Sequence, residues 1–243
     1  MISETAFAAH YTSIWKILAP TSEIFVRKIN SHLYERIFPA KTSLVTANRR
    51  ALINEAAFTL FVHFVSKINK SRKPPKRKLT GEEIDECFVT ARRFIARLDK
   101  AGINEIADLD FIEREEALEQ TSRLVTFFLD VLGKKPISCY PHFNGCGILD
   151  SCNGDIIVGN TLYEVKAGER KFRSLDVRQL LIYAALNSES GENDIQNLGL
   201  FNPRIGVSVE VSLNELCFEV SGRAPSDLLA DIVQAISSGE MSR

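Results

Sequence analysis

At Gly133 the hydrophobic period of this chain changes, and that change constrains the fold more than any other feature of the sequence. Before it, apolar residues recur at helical spacing over residues 7–18, 24–37, 44–68, 84–98 and 114–132. After it come short runs rich in β-branched residues, at 146–149, 155–158, 162–167, 197–201, 207–211 and 216–220. A helical pattern at about 175–187 interrupts these runs and another, about 225–237, follows them. The order predicts an α/β protein: an N-terminal all-helical domain over 1–112, then an αβββαβ core on a small mixed sheet over 113–243.

The 243 residues carry a formal net charge of −1, which at first argues against a polyanionic partner. The total conceals two halves of opposite sign. Residues 1–112 hold 18 basic and 12 acidic side chains, and residues 113–243 hold 12 and 19. Seven basic residues fall within 67–78, where Pro74 and Pro75 break the helical pattern. Lys73, Lys76, Arg77 and Lys78 are therefore expected on an exposed loop suited to nucleic-acid or partner contact. Thr80-Gly81-Glu82-Glu83 has the form of a helix start.

The most informative segment is Gly154 to Lys166. Gly159-Asn160 lies between two apolar runs, a signal for a two-residue hairpin. Counting outward pairs Val158 with Thr161, Ile157 with Leu162, Ile156 with Tyr163, and Asp155 with Glu164. Opposed side chains have Cβ atoms about 4.5–5.5 Å apart, and like charges there repel. Two facing carboxylates make sense when a cation lies between them. Alternation puts Glu164 and Lys166 on one face, so Asp, Glu and Lys share a small volume. Hard carboxylate oxygens suit Mg2+, with Mn2+ able to substitute. The metal would acidify a water and polarise a phosphate, with Lys166 orienting that water.

Asp155, eight residues, then Glu164-x-Lys166 resembles the core of the PD-(D/E)XK phosphodiesterase superfamily. Gln179-x-x-x-Tyr183 on the following helix is similar to the QxxxY element of its RecB-like members, and spacing i, i+4 puts both on one face. The resemblance covers about 113–237 and implies a restriction-endonuclease-like core. It implies that Asp155, Glu164 and the Val165 carbonyl bind the metal, that Lys166 acts on the water, and that Gln179 and Tyr183 organise the site. A helix before the first strand often adds an acidic ligand in this superfamily; of Glu113, Glu115, Glu116 and Glu119, Glu119 is the choice. Departures are Gly154 where a proline is usual, and no four-cysteine iron–sulfur framework.

Arg170, Lys171, Arg173 and Arg178 form a basic island suited to a phosphate backbone. Arg204, after the 198–201 strand, is a further candidate substrate contact. The implied function is a Mg2+-dependent nuclease acting on DNA, with RNA left open. A homo-oligomer or a complex with a partner subunit is expected, in defence or repair. The alternative is a non-catalytic nucleic-acid-binding or scaffold subunit with the same fold; a helical partner-binding protein with an incidental α/β tail is a third reading. The start of the sequence lacks a secretory pattern, and the apolar stretch 56–65 is too short to span a bilayer, so a cytoplasmic protein without a membrane role is expected. Five cysteines without CxxC spacing read as reduced thiols. Four histidines show no catalytic spacing, and no Walker or dinucleotide glycine pattern is present.

Overall fold

The computed structural model describes residues 1–43, 45–70, 79–133 and 135–238, and of Lys70 the backbone alone. Lys73, Lys76, Arg77 and Lys78 lie outside the described residues. In chain order the elements are α1 (Glu4–His10), α2 (Thr12–Leu18), α3 (Ser22–Lys28), β1 (Glu35–Arg36), α4 (Arg50–Lys70), α5 (Gly81–Leu98) and α6 (Phe111–Val125). There follow β2 (Ile137–Cys139), β3 (His142–Phe143), β4 (Cys152–Asn153), β5 (Ile156–Val158), β6 (Thr161–Val165) and α7 (Ser174–Ser190). The last are β7 (Asn197–Asn202), β8 (Val207–Ser212), α8 (Leu213–Ser221) and α9 (Pro225–Ser238).

Six strands form one mixed sheet in the order β1-β8-β7-β6-β5-β2, and β3 pairs separately with β4. The β6–β7 pair is parallel, joined by the α7 crossover, while the other neighbours are antiparallel. The hairpin register is the one counted from the sequence: Val158 with Thr161, Ile157 with Leu162, Ile156 with Tyr163. Gly159 takes φ +61 at the first turn position, where a side chain would be strained.

Side-chain alternation divides the sheet between two cores. Ile157, Leu162, Leu198 and Leu200 pack with Phe7, Trp15 and Phe25 of α1–α3 and with α7 and α9. Ile156, Val158, Tyr163 and Phe201 face Phe58, Phe61 and Val65 of α4 and Phe127 and Phe128 beyond α6. A third cluster joins α4, α5 and α6 through Leu52, Ile53, Leu60, Phe88 and Ala117. By length and composition 47–69 could cross a membrane, but here Leu52, Ile53, Phe58 and Phe61 pack within these clusters.

Several expectations change. The first 29 residues share a core with 143–236, so position 112 does not separate two hydrophobic cores. The expected helix over 24–37 ends as a wide helical turn at Ile29–Leu33, and Glu35–Arg36 joins the sheet edge beside β8. The run 146–149 is a turn with isolated bridges, and the strand beside β5 is β2 instead, a three-residue element too short for a periodicity signal. Residues 216–220 are helical. Leu213, Leu216, Cys217 and Val220 have helical spacing, Ser212 caps the Glu215 N–H at 3.1 Å, and Gly222 closes the helix at φ +72. The helix start at Thr80 is confirmed: its Oγ1 accepts from the Glu83 N–H at 3.3 Å, and Glu83 accepts from the Thr80 N–H at 2.8 Å.

Candidate active site

The hairpin delivers Asp155 and Glu164 to the end of the sheet where β5 begins and β6 ends. The ladder stops at Ile156 and Tyr163, and Asp155, half-buried, turns its Oδ2 onto the Val165 N–H at 2.7 Å. Glu164 is buried, and its Oε1 accepts from Lys166 Nζ at 2.7 Å. Its Oε2 is buried with no hydrogen-bond partner. A buried ionised oxygen without a partner is expensive, and a cation is the compensation such a site lacks.

The titration behaviour has the same cause. Burial, then the neighbouring Asp155, pushes the Glu164 carboxyl up to about 8 despite Lys166. Burial likewise raises Asp155, against the Val165 N–H and Lys166. For Lys166 burial opposes the charge, yet Glu164, Asp176 and Asp155 outweigh it and raise its pKa.

Gln179 and Tyr183 meet the cluster as expected for one face of α7. Lys166 can only donate, so the Gln179 amide oxygen faces its Nζ at 2.8 Å. The amide nitrogen then donates to Thr5 Oγ1 at 3.1 Å and Tyr183 Oη at 3.3 Å, and reaches Glu4 Oε1 at 3.4 Å. The Tyr183 ring stacks on Phe143, with centroids 5.2 Å apart. The α7 pair thus positions the ammonium beside Glu164.

Above the cluster lies a cleft of about 710 Å3 between the helical layers, lined by Asp155, Val165 and Lys166 from the sheet, Glu4 from α1 and Asn54 and Glu55 from α4. Glu55 is raised by burial, with Asp155 adding to it. Glu119 is not part of this cleft: it pairs with Lys41 and Arg123 and lines a separate small pocket. Glu113 binds Arg49 at 2.6 Å and caps α6, and Glu116 pairs with buried Arg204. The additional carboxylates at the site are Glu4 and Glu55, which sequence reasoning missed because both come from the helical half. Their only local signal is isolation: Glu55 is the sole acidic residue of the 44–68 stretch, and Glu4 is the only acidic residue before Glu23.

The basic island divides. Arg170 grips Asp176 with two bonds of 2.7 Å, and Asp176 is fully buried 4.0 Å from Lys166. Arg178 is packed over the Trp15 ring at 5.8 Å, with Glu23 at 4.0 Å, and burial lowers its pKa. Arg178 is committed to the fold, whereas Arg170, though engaged with Asp176, also lines the cleft. Lys171 and Arg173 remain exposed. Arg204 is buried, donating to Asn54 Oδ1 at 2.9 Å, the Ala167 carbonyl at 2.8 Å and Glu116, so it ties α4 and α6 to the strand β6 exit rather than contacting substrate.

Among the described residues no group of three or more His, Cys, Asp and Glu side chains is arranged to hold a metal ion. The Cys139 and Cys152 thiols are pushed up to about 12 by burial. The donor set Asp155, Glu164 and the Val165 carbonyl fits a cation that needs only one or two carboxylates and keeps several waters, such as Mg2+. No family model and no curated protein matches this sequence, so the geometry of the Asp155–Glu164–Lys166 cluster carries the functional argument.

Proposed function

We propose that this chain is a divalent-metal-dependent nuclease that hydrolyses phosphodiester bonds, with DNA as its substrate. The observation that carries the reading is Glu164 Oε2, buried and unpartnered beside a second carboxylate, with an ammonium fixed on the other oxygen. With the separate β3–β4 pair set aside, the succession α6, β2, β5, β6, α7, β7, with β6 and β7 parallel, supports the αβββαβ order that the PD-(D/E)XK resemblance implies. Asp155, Glu164 and the Val165 carbonyl would hold Mg2+ or Mn2+. The bound ion would supply positive charge to acidify an attacking water and neutralise the phosphate.

The chain's own groups divide the remaining work. Lys166 holds its proton, steadied by Glu164 and Gln179, and stabilises negative charge that develops at the phosphate. Gln179, itself bonded to Tyr183, holds that ammonium beside Glu164 at the edge of the cleft it lines. Glu4 and Glu55 add negative charge, which discourages anions from the cleft when no cation is bound. A cytoplasmic setting, a homo-oligomer or partner subunit, and a role in defence or repair belong to the same proposal and rest on the resemblance.

The test is cleavage of linear, circular and single-stranded DNA and of RNA, with Mg2+, Mn2+ or EDTA. Metal-dependent cleavage is expected, falling about a hundredfold or more in Asp155→Ala and Lys166→Ala. Indifference of wild type and both variants to metal on every substrate would overturn the proposal and favour a binding subunit.

A further inference from the structure

Part of the wall of this cleft is apolar and exposed, which the hydrolytic chemistry does not require. Phe94 and Leu98 of α5 and Tyr140 line the same cleft as Asp155 and Lys166, and they are 40%, 62% and 42% exposed. Single exposed apolar residues are ordinary, but three converging on one cleft mark a binding surface.

Tyr140 is the more unusual. Its φ is +54, one of only two positive values at non-glycine residues among the described ones. A bulky residue is strained there and persists only where its surroundings hold it. Those surroundings are specific: its N–H donates to the Asp155 carbonyl at 2.9 Å, and its ring packs edge-on against Phe58 at 5.3 Å. The aromatic ring is therefore attached through the backbone to the first carboxylate of the site.

Phe94 and Leu98 are i, i+4 on α5, and Arg93 and Arg97 form the adjacent i, i+4 row. Both arginines are exposed beside the cleft rather than in its lining, without an ion-pair partner among the described residues, and Arg97 Nε donates to the Arg93 carbonyl at 3.2 Å. An aromatic and apolar wall flanked by free cations is the combination that binds unpaired polynucleotide strands, with rings taking base faces and guanidinium groups taking phosphates. A duplex does not suit it, because paired bases are stacked on each other and offer only their edges. The cleft is also of the size of a small-ligand pocket rather than a seat for a double helix.

We infer that the substrate of this site is an unpaired strand, a single-stranded polynucleotide or a frayed or overhanging end, whose bases stack on Tyr140 and Phe94 while Arg93 and Arg97 hold its backbone. This rests on the nuclease reading for the chemistry but not for the binding. Equilibrium binding of labelled oligonucleotides with Ca2+ in place of Mg2+, so that a cation offsets the carboxylates of the cleft while hydrolysis is suppressed, separates the two. Arms are a single DNA strand, the same sequence as RNA, a blunt duplex and a duplex with an overhang.

The single strand and the overhang should bind roughly tenfold more tightly than the blunt duplex, and Phe94→Ala and Tyr140→Ala should each weaken the single strand by about tenfold. Tyr140→Phe should retain binding, and Arg93→Ala with Arg97→Ala should flatten its salt dependence. Phe94 lies on the exposed side of α5, so Phe94→Ala keeps the test decisive should Tyr140→Ala fold poorly. Equal affinity for blunt duplex and single strand, or single-strand affinity within about twofold of wild type in Phe94→Ala, overturns the inference. Strand preference without metal-dependent cleavage would refute the nuclease reading and leave this inference standing. Cleavage with no strand preference would do the reverse.

Discussion

Replacing Glu164 by glutamine removes a charge that the metal-free fold holds at a penalty. The Glu164 carboxyl moves from its ordinary 4.5 to about 8, so at 1.36 kcal/mol per pH unit the ionised group costs on the order of 5 kcal/mol. The sign follows from proton linkage. The folded state keeps this proton to higher pH than the unfolded chain does, so the favourable contribution is present below 4.5 and is lost as pH rises towards 8.

Glutamine retains an acceptor for Lys166 Nζ, and the attraction of Lys166 is already included in the raised carboxyl, so its loss is not subtracted again. Lys166 keeps Gln179 at 2.8 Å and Asp176 at 4.0 Å, which hold the ammonium in place in the variant. The expectation for Glu164→Gln in EDTA near pH 9 is therefore a gain of up to about 5 kcal/mol, each 1 kcal/mol of which would raise Tm by about 2–4 °C for a chain of this size. At about pH 5 the wild-type carboxyl is already neutral and the gain should vanish.

Mg2+ opposes that gain. It binds only the ionised pair, so at about a hundred times its Kd it should stabilise wild type by about 2.7 kcal/mol near pH 9, progressively less as pH falls, and the glutamine variant little at any pH. Thermal and urea unfolding across pH, with and without Mg2+, measure all of this. A variant no more stable than wild type at alkaline pH in EDTA, with equal Mg2+ increments in both proteins, would refute the reasoning.

Two further expectations concern the scaffold. Arg204→Ala leaves Glu116 buried without its cation and frees Asn54 and the Ala167 carbonyl, so it should cost about 3–5 kcal/mol in urea unfolding, and Arg204→Met combined with Glu116→Leu should recover most of it. A loss below about 1 kcal/mol would mean the pair does not hold α4 and α6 to the site. A Cβ on Gly199 would lie 2.2 Å from the Tyr163 ring across the β6–β7 ladder. Gly199→Ala should therefore destabilise by about 1–3 kcal/mol through overpacking. Tyr163→Leu should relieve part of that loss in a double-mutant cycle, and strictly additive losses would show that the ring is not the obstacle.

The hairpin illustrates how much of the site is legible locally. Gly159-Asn160 sets the turn, the turn sets the register, and the register puts Glu164 and Lys166 on the face that meets Gln179 and Tyr183. Each of these steps involves neighbours within a turn, a ladder or two helical turns. Helix α8 was equally legible, since Ser212, Glu215 and Gly222 carry its caps; alternation in 216–220 obscured a helical spacing that was present. The short strands β1 and β2 were not legible, because two or three residues carry no period and exist by pairing with β8 and β5.

By itself the sequence determined the α/β class, the hairpin register, the Asp–Glu–Lys set and the helix face that steadies it, all products of backbone geometry and short-range spacing. Tertiary structure alone decided which distant side chains join them. It brought Glu4 and Glu55 to the cleft in place of Glu119, buried Arg178 against Trp15, engaged Arg170 with Asp176, and turned Arg204 into a strut. A carboxylate or guanidinium at one position can be ligand, clamp or core ion pair with the same local sequence. Which it becomes depends on the charge and burial it meets across the fold, and those are properties of packing rather than of spacing.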